Sequence, residues 1–179
     1  MNEITHIKRE IRSFSNWGYI KLDVFEIHTN DLKCFNSEFN YIFELLKMKG
    51  FNNSVEELTI DYDAFSEIEY GNFNLKMIRT TSFIKLELSA SLDSIKKYIC
   101  FIDKLITGSL KAAPVYNQYF EEIILPHINS CKEAFELKTD HEAKSALTLS
   151  WGGRYEHFKS FIFLCPNSKT VKHLEMGRD

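Results

Sequence analysis

Between Glu57 and Tyr70 the chain alternates. Leu58, Ile60, Tyr62, Ala64, Ile68 and Tyr70 hold even positions, and Glu57, Asp61, Asp63, Glu67 and Glu69 hold odd ones. A two-residue period sends the two sets to opposite faces of a strand, here one apolar and one acidic. Just upstream, Leu32, Phe35, Phe39, Ile42, Phe43 and Leu46 recur at three- and four-residue steps, the spacing of a core-facing helix. Thr29 or Asn30 supplies its cap and Gly50 its stop. Both periods in one chain, in separate runs, specify an α+β class.

The remaining elements follow from the same two periods. Ile4, Ile7, Ile11 and Phe14 predict an amphipathic helix over 3–14, ended by Gly18. "YIKLDVFEI" predicts a strand over 19–27 with one wet face, because Lys21 and Asp23 alternate with Ile20, Leu22 and Val24. After Gly71-Asn72, "FNLKMIRT" and "FIKLELS" extend the acidic strand into an antiparallel meander. Ser91 caps a helix lined by Leu92, Ile95, Ile99, Ile102 and Ile106 and stopped by Gly108. A further helix starts at Pro114, runs through Tyr116, Phe120, Ile124, Ile128, Cys131 and Phe135, and kinks at Pro126. "SALTLSW", Gly152-Gly153 and "RYEHFKSFIFL" form a hairpin, with helical spacing of Tyr155, Phe158 and Phe161 as a rival for the return limb. Residues 166–179 turn polar and read as a frayed tail. The expected architecture is a single α+β domain over 1–179. It has a mostly antiparallel twisted sheet of five to seven strands, with three or four helices packed on one face.

Composition narrows the class. Hydrophobic residues make up 44% of the 179 and charged residues 26%, which suits an ordered globular chain. The net charge of −3 lacks the basic excess of a nucleic-acid binder, so no direct nucleic-acid contact is expected. Cys34, Cys100, Cys131 and Cys165 are far apart, form no zinc or redox motif, and read as buried free thiols. "MNEITHIKREIRSF" carries charges where a signal peptide needs an apolar run, and no stretch approaches a membrane span. A cytoplasmic protein with no membrane contact is the expectation.

Motifs for chemistry fail one by one. "SWGGRYEHF" has paired glycines but neither G-x-G-x-x-G nor G-K-[ST], so a turn accounts for it without a phosphate. Asp140, His141 and Glu142 lack the second histidine of a metalloprotease helix. In "DYDAFSEIEYGN", Asp61 and Asp63 fit a calcium loop, but Phe65, Ser66 and Asn72 occupy the positions of the third ligand, the glycine and the closing glutamate. There is no G-x-S-x-G elbow. No metal, no cofactor and no catalytic residue is expected.

The charge distribution points to a binding role instead. From Gly50 to Leu75 there is no lysine or arginine, while Glu56, Glu57, Asp61, Asp63, Glu67 and Glu69 supply six acids. Lys76, Arg79 and Lys85 follow and can neutralise them across the sheet. If they do not, the acidic face suits a protein partner with a basic surface. The resulting reading is an inhibitor or immunity-type protein, such as a bacterial or phage accessory gene encodes against a toxin or defence enzyme with a basic cleft. Its contacts would be Glu57, Asp61, Asp63, Glu67 and Glu69. The alternative is a small enzyme or binder acting on a nucleotide or phosphate ester. There Arg154 would hold phosphate beside Glu156, with His157 or His141 moving protons.

Overall fold

The computed structural model describes residues 4–13, 18–28, 39–46, 69–70, 73–74, 78–107, 114–138 and 157–178. Six of its strands form one antiparallel sheet: β1 (Ile4–Ser13), β2 (Gly18–Ile27), β5 (Phe83–Leu86), β6 (Glu133–Leu137), β7 (His157–Cys165) and β8 (Thr170–Arg178). Their order across the sheet is β1-β2-β8-β7-β6-β5. A separate two-stranded ribbon pairs β3 (Glu69–Tyr70) with β4 (Phe73–Asn74). The helices are α1 (Phe39–Leu45), α2 (Leu88–Thr107), α3 (Pro114–Tyr119) and α4 (Leu125–Ile128). The α+β class and the antiparallel sheet agree with the sequence reading.

Both faces of the sheet carry an apolar cluster. Ile20, Leu22 and Val24 of β2, Phe161 and Phe163 of β7, and Leu174 and Met176 of β8 meet Ile95, Ile99 and Ile102 of α2. Phe120, Ile124 and Ile128 complete that cluster. On the other face, Phe25, Phe83, Phe135, Ile162 and Leu164 receive Ile42, Phe43 and Leu46 at α1. Phe39 stacks on Phe135 at 3.8 Å between ring centroids and meets Phe83 edge-on at 5.3 Å. The long helices share one face, and the short α1 adds its side chains to the opposite one, so the helices do not all pack on one face as the sequence reading had them.

Several segments depart from their sequence reading, each for a local reason. Residues 4–13 are a strand, not a helix. A β-bulge between His6 and Lys8 adds one residue, so Ile4 and Ile11, an odd number of positions apart, share a face. That spacing also matches two helical turns, which is why the pattern misleads. Residues 170–178 are not a frayed tail: β8 lies between β2 and β7 and is buried from Thr170 to Gly177. His173 and Glu175 find partners on neighbouring strands, and Lys172 reaches the His127 carbonyl of α4. For the same reason β2 has no wet face; Asp23 is 1% exposed.

The helix before β5's partner also differs. Leu88 begins α2 a turn before Ser91, whose hydroxyl donates to the Leu88 carbonyl at 2.7 Å instead of capping. Between α3 and α4, residues Phe120–Ile124 form a π-helical turn just before Pro126. Widening there relieves the clash and missing N–H that a proline brings to an α-helix. The helix stops at Ile128, and Phe135 belongs to β6, not to the helical stripe. Cys131 and Cys165 are joined as a disulfide rather than held as free thiols, and Cys100 is exposed on α2. β5 pairs with β6, and β3 with β4, while residues 57–68 of the expected meander lie outside the described residues. The return limb of the expected hairpin is strand β7; Gly152-Gly153, "SALTLSW" and Cys34 lie outside the described residues.

The placement of β8 yields a direct test. Leu174 is fully buried between the sheet and α2. Leu174→Ala is expected to destabilise the protein by about 2–5 kcal/mol, measured as a lowered urea midpoint. A residue in a frayed tail would shift it by no more than about 0.5 kcal/mol.

Candidate functional site

The densest set of chemistry-bearing side chains lies on the α1 face of β1, β2, β7 and β8. Direct pairing brings Asp23 opposite His173, Lys21 opposite Glu175 and Arg9 opposite Asp23. Alternation does the rest, pointing each of these residues to the same side. Arg9 Nε donates to Asp23 Oδ1 at 2.7 Å, and His6 Nε2 lies 2.8 Å from the same oxygen. Tyr19 donates its hydroxyl to Glu175 Oε1 at 2.5 Å, and Lys21 Nζ donates to Oε2 at 2.8 Å. Ser160 Oγ sits 3.1 Å from His173 Nε2. The Tyr19 ring lies over Gly177, where an added Cβ would come within 2.5 Å of its far edge, so a larger residue there would push the ring aside.

Electrostatics in this cluster follow from burial and pairing. Burial alone would raise the Asp23 carboxyl; the Arg9 hydrogen bond and the charges of Lys21, His173 and Arg9 outweigh it and hold it below the usual carboxylate value. Glu175 is likewise lowered: burial works against ionisation, and Lys21, His173 and the Tyr19 hydroxyl overcome it. Burial pushes His173 down to about 4, with Lys21 and Arg9 adding to the shift and Glu175 and Asp23 opposing it. At neutral pH the set therefore holds two carboxylates, two cations and a neutral His173.

Ser160, His173 and Glu175 have the composition of a catalytic triad but not its geometry. Ser160 and Glu175 both approach Nε2 of His173, at 3.1 and 3.9 Å. A triad needs the serine on one ring nitrogen and the carboxylate on the other. Ser160 is also fully buried. The arrangement neutralises charge and fixes strand register; it does not present a nucleophile.

Elsewhere the described residues offer little room for a ligand. A crevice lined by Gly18, Tyr98, Ile102 and Met176 has space for about one water molecule. No group of three metal-ligating side chains occurs among the described residues, and none of the described helices is long and apolar enough to cross a membrane.

The residues singled out from sequence are only partly placed. Glu57, Asp61, Asp63 and Glu67 lie outside the described residues, as do His141, Arg154 and Glu156. Glu69 is on β3, opposite Asn74, in the two-stranded ribbon. His157 opens β7 opposite Arg178. The polar cluster was missed. Its signal was a matched pair of alternations, Tyr19-Lys21-Asp23 and His173-Glu175-Gly177, whose charges complement each other only when the strands are laid antiparallel.

No protein-family profile matches the chain, and no curated protein matches it. The chain is similar to citrus MAF1 in two crystal forms. One gives a TM-score of 0.37 at 17% identity, covering 93% of this chain and 90% of that one. The other gives 0.41 at 14% identity, covering 90% and 89%. At that distance the likeness carries no functional argument.

The cluster predicts a distinctive acid response. Below about pH 6.5 the unfolded chain binds a proton at His173 that the folded chain refuses until about pH 4, so stability falls across that window. The depressed carboxylates add stability above their unfolded values, 3.8 for Asp23 and 4.5 for Glu175, and lose it as pH falls further. Urea unfolding of His173→Gln is expected to show a shallower decline than the parent chain from about pH 7 to about pH 5, the remaining slope coming from His127, which burial, Lys8 and Lys172 also push down. Equal slopes would contradict a neutral buried His173.

Proposed function

We propose that the chain is a non-enzymatic protein-binding module of the inhibitor or immunity type. In this reading Glu57, Asp61, Asp63, Glu67 and Glu69 dock on the basic surface of a protein partner, such as the cleft of a toxin or defence enzyme. The supporting observation is the fate of Lys85. This residue was a candidate to neutralise the acidic segment across the sheet. It lies instead on β5, with its Nζ 2.5 Å from Glu133 of β6. Lys159 is engaged in the same way by Glu136. Glu69 sits in the two-stranded ribbon opposite Asn74, with no lysine or arginine directly across from it. An acid-only segment from Gly50 to Leu75 then steers encounter with a cationic surface and contributes specificity.

The test is capture from host lysate on immobilised protein at low and then high salt. A basic partner retained at low salt and released by high salt is expected. The triple variant Asp61→Lys, Asp63→Lys, Glu67→Lys should weaken that capture at least about tenfold and flatten its salt dependence. Capture that ignores all three reversals would refute the acidic contact.

A further inference from the structure

The geometry points to Cys131 and Cys165 as a reversible thiol–disulfide pair that exchanges with a small thiol, with Lys172 as counter-ion to the Cys131 thiolate of the reduced form. The pair joins the turn after α4 to the last residue of β7. Cys165 is fully buried. Cys131 is 5% exposed, and its chain neighbours Ser130 and Lys132 are both exposed. An incoming thiol therefore meets the pair from the Cys131 side.

Lys172 is the group that the disulfide form leaves unexplained. It is 7% exposed, and its Nζ donates to the His127 carbonyl and, at 3.3 Å, to Ser130 Oγ. Both acceptors are neutral. Burial pushes the ammonium below the ordinary lysine value, and no carboxylate among the described residues opposes that shift. A lysine that only capped the end of α4 would serve as well at the surface, with its charge hydrated. Burying a cation beside neutral acceptors is unfavourable. The same His127 carbonyl lies 3.9 Å from Cys131 Sγ. Two atoms that touch one oxygen are close to each other, so the ammonium lies within about 6 Å of the sulfur, near enough to favour a thiolate. Reduction supplies the negative charge that the disulfide lacks. Other charged groups at this end of α4 are Lys132, Lys8, 3.4 Å from His127 Nε2, and Glu10, paired with Lys8 at 2.8 Å.

The exchange needs no group beyond the two cysteines and the small thiol. In the oxidising direction the Cys131 thiolate attacks one sulfur of a small disulfide, expels one small thiolate and forms a mixed disulfide. The Cys165 thiol then attacks Cys131 Sγ, loses its proton to solvent and expels the second thiolate. Two electrons pass from the cysteine pair to the small disulfide, which departs as two thiolates. Reduction is the reverse and begins with a small thiolate attacking Cys131 Sγ. Stabilising the Cys131 thiolate favours the reduced form, which brings the pair within reach of glutathione; a disulfide without such help resists it.

Equilibration of the full chain in glutathione buffers, from almost wholly oxidised to almost wholly reduced, tests this. Differential alkylation with peptide mass spectrometry separates Cys131 and Cys165 from Cys34 and Cys100. The pair is expected to pass from disulfide to dithiol within the buffer range. Reduced Cys131 should alkylate with a pH midpoint well below about 8.5, the value of a free cysteine. Lys172→Met should shift the exchange constant at least about tenfold toward the disulfide, or about 30 mV, and raise that midpoint. Lys172→Arg keeps the charge and should stay near the parent. Circular dichroism and a thermal melt report whether each variant is folded, and the midpoint of the parent chain tests the same charge without a substitution. A lysine that only caps α4 would alter the stability of both redox forms alike and leave the exchange constant in place. A pair that stays oxidised in every buffer, an ordinary Cys131 midpoint, or an exchange constant indifferent to Lys172→Met would each overturn the inference.

Discussion

The sheet depends on pairing charge inside it. β2 and β8 lie side by side, and both carry ionisable residues on the face toward α1. Burying Asp23 and Glu175 singly would cost several kcal/mol each. Arg9, Lys21, His6 and Tyr19 supply the compensating contacts, so the strands can take interior positions. The same pairing discriminates between registers. Sliding β8 along β2 by two residues would set Asp23 against Glu175 and part Glu175 from Lys21. Apolar strands of equal length would hold no such preference.

Around that polar strip the rest of the molecule is ordinary packing on two sides. The α2 face buries the aliphatic positions of β2 and β8 against Ile95, Ile99 and Ile102. The α1 face is divided: aromatic at the β5–β6 end, where Phe39, Phe83 and Phe135 meet, and ionic toward β1. The Cys131–Cys165 disulfide ties the start of β6 to the end of β7, next to the Lys132 N–H that donates to the Leu164 carbonyl at 2.9 Å. The charged strip and the aromatic end are thus separate solutions to covering one sheet.

What the sequence made legible were the elements whose pattern depends on their own residues. The stripe Phe39, Ile42, Phe43, Leu46 and the stripe Leu92, Ile95, Ile99, Ile102 marked helices, and the run Ile20-Leu22-Val24 marked a strand. What it hid depended on partners far away. "TVKHLEMGR" looks polar until Lys21 and Asp23 stand opposite Glu175 and His173. "ITHIKREI" looks helical because a bulge at Ile7 shifts its phase. The charge cluster escaped for the same reason, since Arg9, Asp23 and Glu175 acquire meaning only through tertiary pairing. The acidic run from Glu57 to Glu69 was the easiest feature to read, because it is a matter of composition alone.

The position of Gly177 beneath the Tyr19 ring has a kinetic consequence. Tyr19 and Glu175, which that contact aligns, are 156 residues apart in the chain. The central ladder of the sheet is therefore among the most non-local contacts the molecule makes. Closing so long a loop is entropically unfavourable before any hydrogen bond forms, and topologies of this kind fold slowly. On the ribosome, β2 is synthesised early and waits for β8 with Lys21 unneutralised and an edge open. The interval of translation between them is when the nascent chain has most need of a chaperone.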